Sequence, residues 1–205
     1  MSWSYEPDLD IHTCNPAPNI RRPFPISQAL DLTPRQVRHM STVHEAGHAA
    51  VFLTAGVPFD YLAFSAGPGG EHCISGISGI NLAAADHVRC CVAGERASDR
   101  WLRDHQLWTP DRAWANEALS ASDRRQLAGH LPANGLMALV VNDDDLLAPP
   151  VDGPRLDDLS LLHAEVDAFL DSLWPQVLRL GEALDRHGRL DYAQAREHAG
   201  IPCGR

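Results

Sequence analysis

One string in this 205-residue chain carries residue types and a spacing suited to chemistry: His44-Glu45-Ala46-Gly47-His48. On a helix, residues four apart lie about 40° from each other around the axis, so both imidazoles project from one face and can share a metal ion. Neutral imidazole suits Zn²⁺. Glu45 sits too far round to chelate beside them, but it can accept a proton from a water on the metal. With 11 His in the chain, chance alone gives such a string in about 2% of chains of this composition. Three ionisable groups also interrupt an otherwise apolar helix, where burial without partners costs several kcal/mol. We therefore read His44 and His48 as ligands of one Zn²⁺ per chain and Glu45 as the catalytic base of a hydrolase.

A catalytic zinc needs a third protein ligand and one open position. An extended HExxHxxGxxH motif would supply it locally, but Val51 and Thr54 occupy the later positions. Other elements must deliver it. The metal-binding helix opens at Thr33-Pro34, an N-cap followed by Pro at the first helical position, and stops near Gly56-Val57-Pro58. Tyr61–Phe64 and Cys73–Ile77 read as a small hairpin around a Gly-rich loop. The helical period returns from Leu82 to about Leu102. Thr109-Pro110 opens a further helix to about Leu119, and Ser120 or Ser122 caps another ending near His130. Residues 142–155 form an acidic, Pro-rich connection. Helices follow over 157–174, 175–187 and 191–199, with Pro175 dividing the first two. Residues 1–30 carry Pro7, Pro16, Pro18, Pro23 and Pro25 and read as an irregular N-terminal arm. Residues 31–205 are then one mainly α domain with a small β-hairpin element.

The zinc helix, His44–Val51 (HEAGHAAV), resembles the peptidase domain of the FtsH family, membrane-bound ATP-dependent zinc proteases. Val57-Pro58 and the short strands are similar to the turn and small β element that follow that family's zinc helix. Val92-Ala93-Gly94-Glu95-Arg96-Ala97-Ser98-Asp99 is similar to its Ala-Gly-Arg-Ala-Ala-Glu string, with one extra residue. Arg179–Ala193 resembles its helical tail. The likeness covers roughly residues 34–195, strongest at the zinc helix. It implies a zinc metalloendopeptidase. The family's ATPase domain and membrane anchors have no counterpart in these residues.

The resemblance also implies an Asp as third ligand, opening a helix after a Thr-Gly-Ala segment. Asp111 follows Thr109-Pro110, has Ala115 one turn on, and lies 17 residues past Gly94, close to the family's spacing. Asp123, in Ser120-Ala121-Ser122-Asp123, matches the Ser/Ala flavour but comes 29 residues past Gly94. Asp111 is the preferred ligand, Asp123 the second choice and Glu117 the third.

Composition narrows the function. The net charge of −10 disfavours nucleic-acid and anionic-membrane binding. All 17 basic residues are Arg, so no P-loop Lys is available for a nucleotide, and hydrolysis is expected to be ATP-independent within this chain. The expected substrate is a peptide or unfolded protein; a separate ATPase or adaptor would be needed to deliver folded ones. No run of residues is apolar enough to span a membrane. Five Cys without a CxxC read as reduced thiols, pointing to the cytoplasm. The remaining His residues and Asp143-Asp144-Asp145 read as packing or solvated surface. The alternatives are a partner-specific regulatory protease, or a non-catalytic peptide- or adaptor-binding module on the same fold.

Overall fold

The computed structural model describes residues 4–19, 26–66, 73–78, 82–130 and 159–201. The Gly-rich loop, His72, the acidic connection with Asp143–Asp145, and Cys203 lie outside them. Among the described residues the fold is mainly helical, with seven helices and two small antiparallel sheets.

The central element is α2, Pro34–Ala55. Thr33 caps it through a reciprocal box with Gln36, and Gly56 ends it in the left-handed conformation that glycine adopts freely. Met40, Val43, Ala46, Ala50 and Leu53 are buried along its length. On one side α2 packs against α3, Ala84–Asp104, and on another against α6, Leu159–His187. Its contact with α3 is close because the residues are small. A Cβ on Gly47 would come within 2.5 Å of the Ala93 carbonyl oxygen.

The hairpin expected from sequence is present as β3, Tyr61–Ala66, and β4, Cys73–Ser78, paired from Tyr61↔Ser78 to Ala66↔Cys73. A two-residue strand, β5 (Arg189–Leu190), adds to β3, giving the order β4-β3-β5 and leaving β4 at an edge. Helices α4 (Pro110–Leu119), α5 (Ala121–His130) and α7 (Tyr192–Ala199) complete the core.

Two expectations change. Pro175 does not divide a helix; α6 runs through it unbroken. Pro175 and Asp171, whose carbonyl loses its N–H partner, are both exposed, so the interruption falls on a solvent-facing side of α6. Nor is the segment before residue 31 wholly irregular. Ser4–Glu6 (β1) and Ile11–Thr13 (β2) form a hairpin, and Ile26–Leu30 forms a short helix, α1, against α4.

Candidate metal centre

Both histidines of the α2 motif point toward α3 and α5. The Nε2 atoms of His44 and His48 are 3.0 Å apart. Asp123 Oδ2 lies 3.2 Å from the first and 3.4 Å from the second. Donors arranged tetrahedrally around zinc at about 2.0–2.1 Å stand about 3.3 Å from each other. The triangle of side-chain atoms already has that size.

The tautomers point the same way. His48 Nδ1 lies 2.7 Å from the Cys90 carbonyl oxygen, which can only accept. Nδ1 therefore carries the proton, and the Nε2 lone pair faces the cluster. Two imidazole lone pairs and a carboxylate aimed at one point repel each other unless a cation or proton lies between them. Without a metal a proton serves. Burial opposes charge on His48, but the Asp123 carboxylate outweighs it and holds the imidazole well above its ordinary range. Burial likewise raises Asp123, and the His48 pairing more than reverses this, holding its carboxyl well below the usual carboxylate range. The donor set fits Zn²⁺: two neutral nitrogens, one anionic oxygen and room for a fourth ligand.

The backbone of α3 makes room for this cluster. A Cβ at Gly94 would lie 2.5 Å from His48 Nε2 and 2.7 Å from His44 Nε2. Only glycine lets α3 pass directly beneath both ligand atoms.

Asp123 comes from the first turn of α5, where the helix dipole also favours a carboxylate. The next residue fixes that turn. Arg124 is buried and donates from Nε and Nη2 to the two carboxylate oxygens of Glu95, at 2.6 and 2.7 Å. Its Nη1 donates to the carbonyl of His12, in β2. Glu117 completes the network: the N–H and thiol of Cys14 donate to its two oxygens, each at 2.8 Å. Burial pushes the Glu95 carboxyl up, but the Arg124 guanidinium prevails and holds it at about 2. Burial and the neighbouring Glu95 charge push Glu117 upward. The segment 12–15 is thus a strap over a buried charge network, one residue removed from Asp123.

Of the two aspartates weighed from sequence, the structure gathers Asp123, the second choice, with His44 and His48, and leaves Asp111 apart. Asp111 is exposed in the first turn of α4. That end of α4 is held elsewhere: Arg112 donates to the carbonyls of Leu30 and Asp31. Asn116, about 7.5 Å further along the helix, is the α4 residue that reaches Glu95, through its carbonyl. Glu117 is occupied by the strap and the Arg124 network and is not gathered with the histidines.

The cluster opens into a cleft of about 530 Å³, a size typical of small-ligand sites. Glu45 lines it with His44 and His48, and Phe52, Ile77, Leu82 and Leu119 give it apolar walls. Gly76 and Ile77 bring edge strand β4 to the same cleft. Sequence reasoning singled out the strand that carries Ile77 but not Phe52, Leu82 or Leu119 as wall residues, because these come from α2, the segment just before α3, and α4, and carry no spacing of their own. Cys90 and Cys91 also border the cleft; burial pushes the Cys91 thiol up to about 12, and neither sulfur is gathered with His44, His48 and Asp123.

No protein-family model matches the chain, and no curated protein is detectably similar to it. Among the described residues no helix is long and apolar enough to cross a membrane.

Proposed function

We propose that this chain is a zinc-dependent metalloendopeptidase that cleaves extended peptide segments without using ATP itself. The observation that carries the proposal is the convergence of His44 Nε2, His48 Nε2 and Asp123 Oδ2 at the base of a cleft that Glu45 also lines. Bound zinc would supply Lewis acidity toward a carbonyl and lower the pKa of water to about 7. The protein's own contribution is a proton carrier and a substrate track. Glu45 can take a proton at its carboxylate on the cleft side and return it to the departing amine. Among the described residues no strand pairs with the outer side of β4, and such an edge can hold a peptide in extended form as an added strand. The apolar walls would receive side chains flanking the cleaved bond. A base beside the metal set supports hydrolysis over a purely structural zinc, for which Glu45 would have no use. The FtsH-like zinc helix and Gly94 segment support the same reading.

The test uses the zinc-loaded chain with a loose, casein-like substrate and a tightly folded protein, each with and without ATP. The loose substrate should be cut and the folded one spared, with ATP having no effect. Glu45→Gln should keep zinc and lose cleavage, because an amide cannot accept the proton. Undiminished cleavage by Glu45→Gln would remove Glu45 from the mechanism.

A further inference from the structure

The two histidines are held by different partners. The Cys90 carbonyl, a main-chain group, fixes His48. His44 has no such carbonyl at Nδ1; its partner there is the hydroxyl of Ser98, at 3.3 Å. Ser98 is fully buried on α3, one turn beyond Gly94. Its own hydroxyl proton points the other way, donating to the Gly94 carbonyl at 3.1 Å. A hydroxyl has one proton and two lone pairs. With the proton committed to Gly94, Ser98 can only accept from His44.

We propose that Ser98 is the positioning residue of the metal centre: it draws the His44 proton onto Nδ1 and leaves the Nε2 lone pair free for the metal. The competing arrangement is close at hand. With its proton on Nε2, His44 would donate to Asp123 Oδ2, 3.2 Å away. That state ties up two of the three donors in a hydrogen bond with each other. Ser98 tips the balance against it. Gly94 takes part twice, as the residue whose missing side chain admits both Nε2 atoms and as the carbonyl that orients the serine. The sequence Gly94-x-x-x-Ser98 therefore works as one unit on a single helical turn. Partners of this kind, outside the metal ligands themselves, characteristically change metal affinity 10–100-fold.

The inference rests on the metal-centre reading, and its test separates the two. In the metal-free full-length chain, ¹⁵N NMR of the imidazole nitrogens reports which one carries the His44 proton. Competition against a chromophoric chelator gives the affinity for Zn²⁺ alone. Wild type should show His44 protonated at Nδ1. Ser98→Ala should move the proton toward Nε2 and weaken zinc binding about 10–100-fold. Ser98→Cys fills the same space with a poor acceptor and should follow the alanine variant, whereas a merely structural serine would leave the tautomer unmoved. Wild-type tautomer and wild-type affinity in both variants would overturn the role of Ser98. Failure of the wild-type chain to bind zinc would instead overturn the metal reading, and the tautomer measurement would still judge the serine.

Discussion

Arg124 and Glu95 form a two-pronged buried ion pair, and each is the sequence neighbour of a group at the metal cluster. Asp123 precedes Arg124, and Gly94 precedes Glu95. On both α5 and α3 one residue serves the histidines and the next locks the helices together. The lock fixes how far the Asp123 carboxylate stands from the imidazoles.

Breaking that lock should cost both stability and metal affinity. Arg124→Met leaves the buried Glu95 carboxylate without its partner, a change worth on the order of 3–5 kcal/mol. Urea unfolding of the metal-free chain should show the loss. Zinc titration should show weaker binding as well, although Arg124 is not among the residues gathered into the metal cluster. Unchanged zinc affinity in a folded Arg124→Met protein would show that α5 holds Asp123 in place without the lock.

The ligand assignment separates two aspartates cleanly. Asp123→Ala should lower zinc affinity by orders of magnitude, as should His48→Ala, since each removes one of three protein ligands. Asp111→Ala should bind zinc like wild type, because Asp111 stands exposed at the far end of α4. Metal content after dialysis, about one Zn²⁺ per chain for wild type and Asp111→Ala, checks both.

The two glycines of the α2–α3 contact should fail in different ways. Gly47→Ala drives a methyl group into the Ala93 backbone, which cannot move aside, and should lower stability by about 1–3 kcal/mol. Gly94→Ala places a methyl group nearest the tips of two imidazoles, side chains that can give way more readily than backbone in the metal-free chain. It should fold nearly as well as wild type and lose zinc. Thermal unfolding and metal content, measured side by side, distinguish the outcomes.

His163 sets an acid-side limit to stability. It is buried on α6, with Nε2 3.7 Å from Glu95 Oε1. Burial dominates, holding its pKa near 4, below the ordinary 6.5. The unfolded chain therefore takes up a proton here before the folded one does. Stability from this group is complete above pH 6.5 and declines as pH falls toward about 4, by on the order of 3 kcal/mol. Urea midpoints for wild type and His163→Gln across that interval should show a shallower slope in the variant.

Helix α2 was legible because its message is local: a four-residue spacing, an N-cap box at Thr33 and a glycine stop at Gly56 all act within one element. The place of Asp123 beside the histidines was harder to read. Its position depends on the lengths of α3 and α4 and on a salt link between residues 29 apart, and linear spacing from Gly94 pointed to Asp111 instead. Its neighbour held a clue, since a charged Arg124 beside the small residues of Ser120-Ala121-Ser122 becomes meaningful only with a buried acid to meet it. Strand β5 is two residues long, too short for any alternating pattern, and exists because β3 offers it an edge. Pro175 misled because the rule against proline within helices weakens where the broken hydrogen bond faces water.

The strap over Glu117 has a consequence for how the molecule is made. Cys14 and Glu117 stand 103 residues apart in the chain. A contact of such span closes a large loop, and the entropic cost of that closure has to be met before the contact rewards it. The buried charges that brace Asp123 are therefore completed only by a segment that precedes nearly everything it touches. Until residues 12–15 return to seal them, Glu95, Arg124 and Glu117 remain open to water, which weakens their grip on one another. Placement of the Asp123 carboxylate beside the two histidines is thereby tied to completion of the domain.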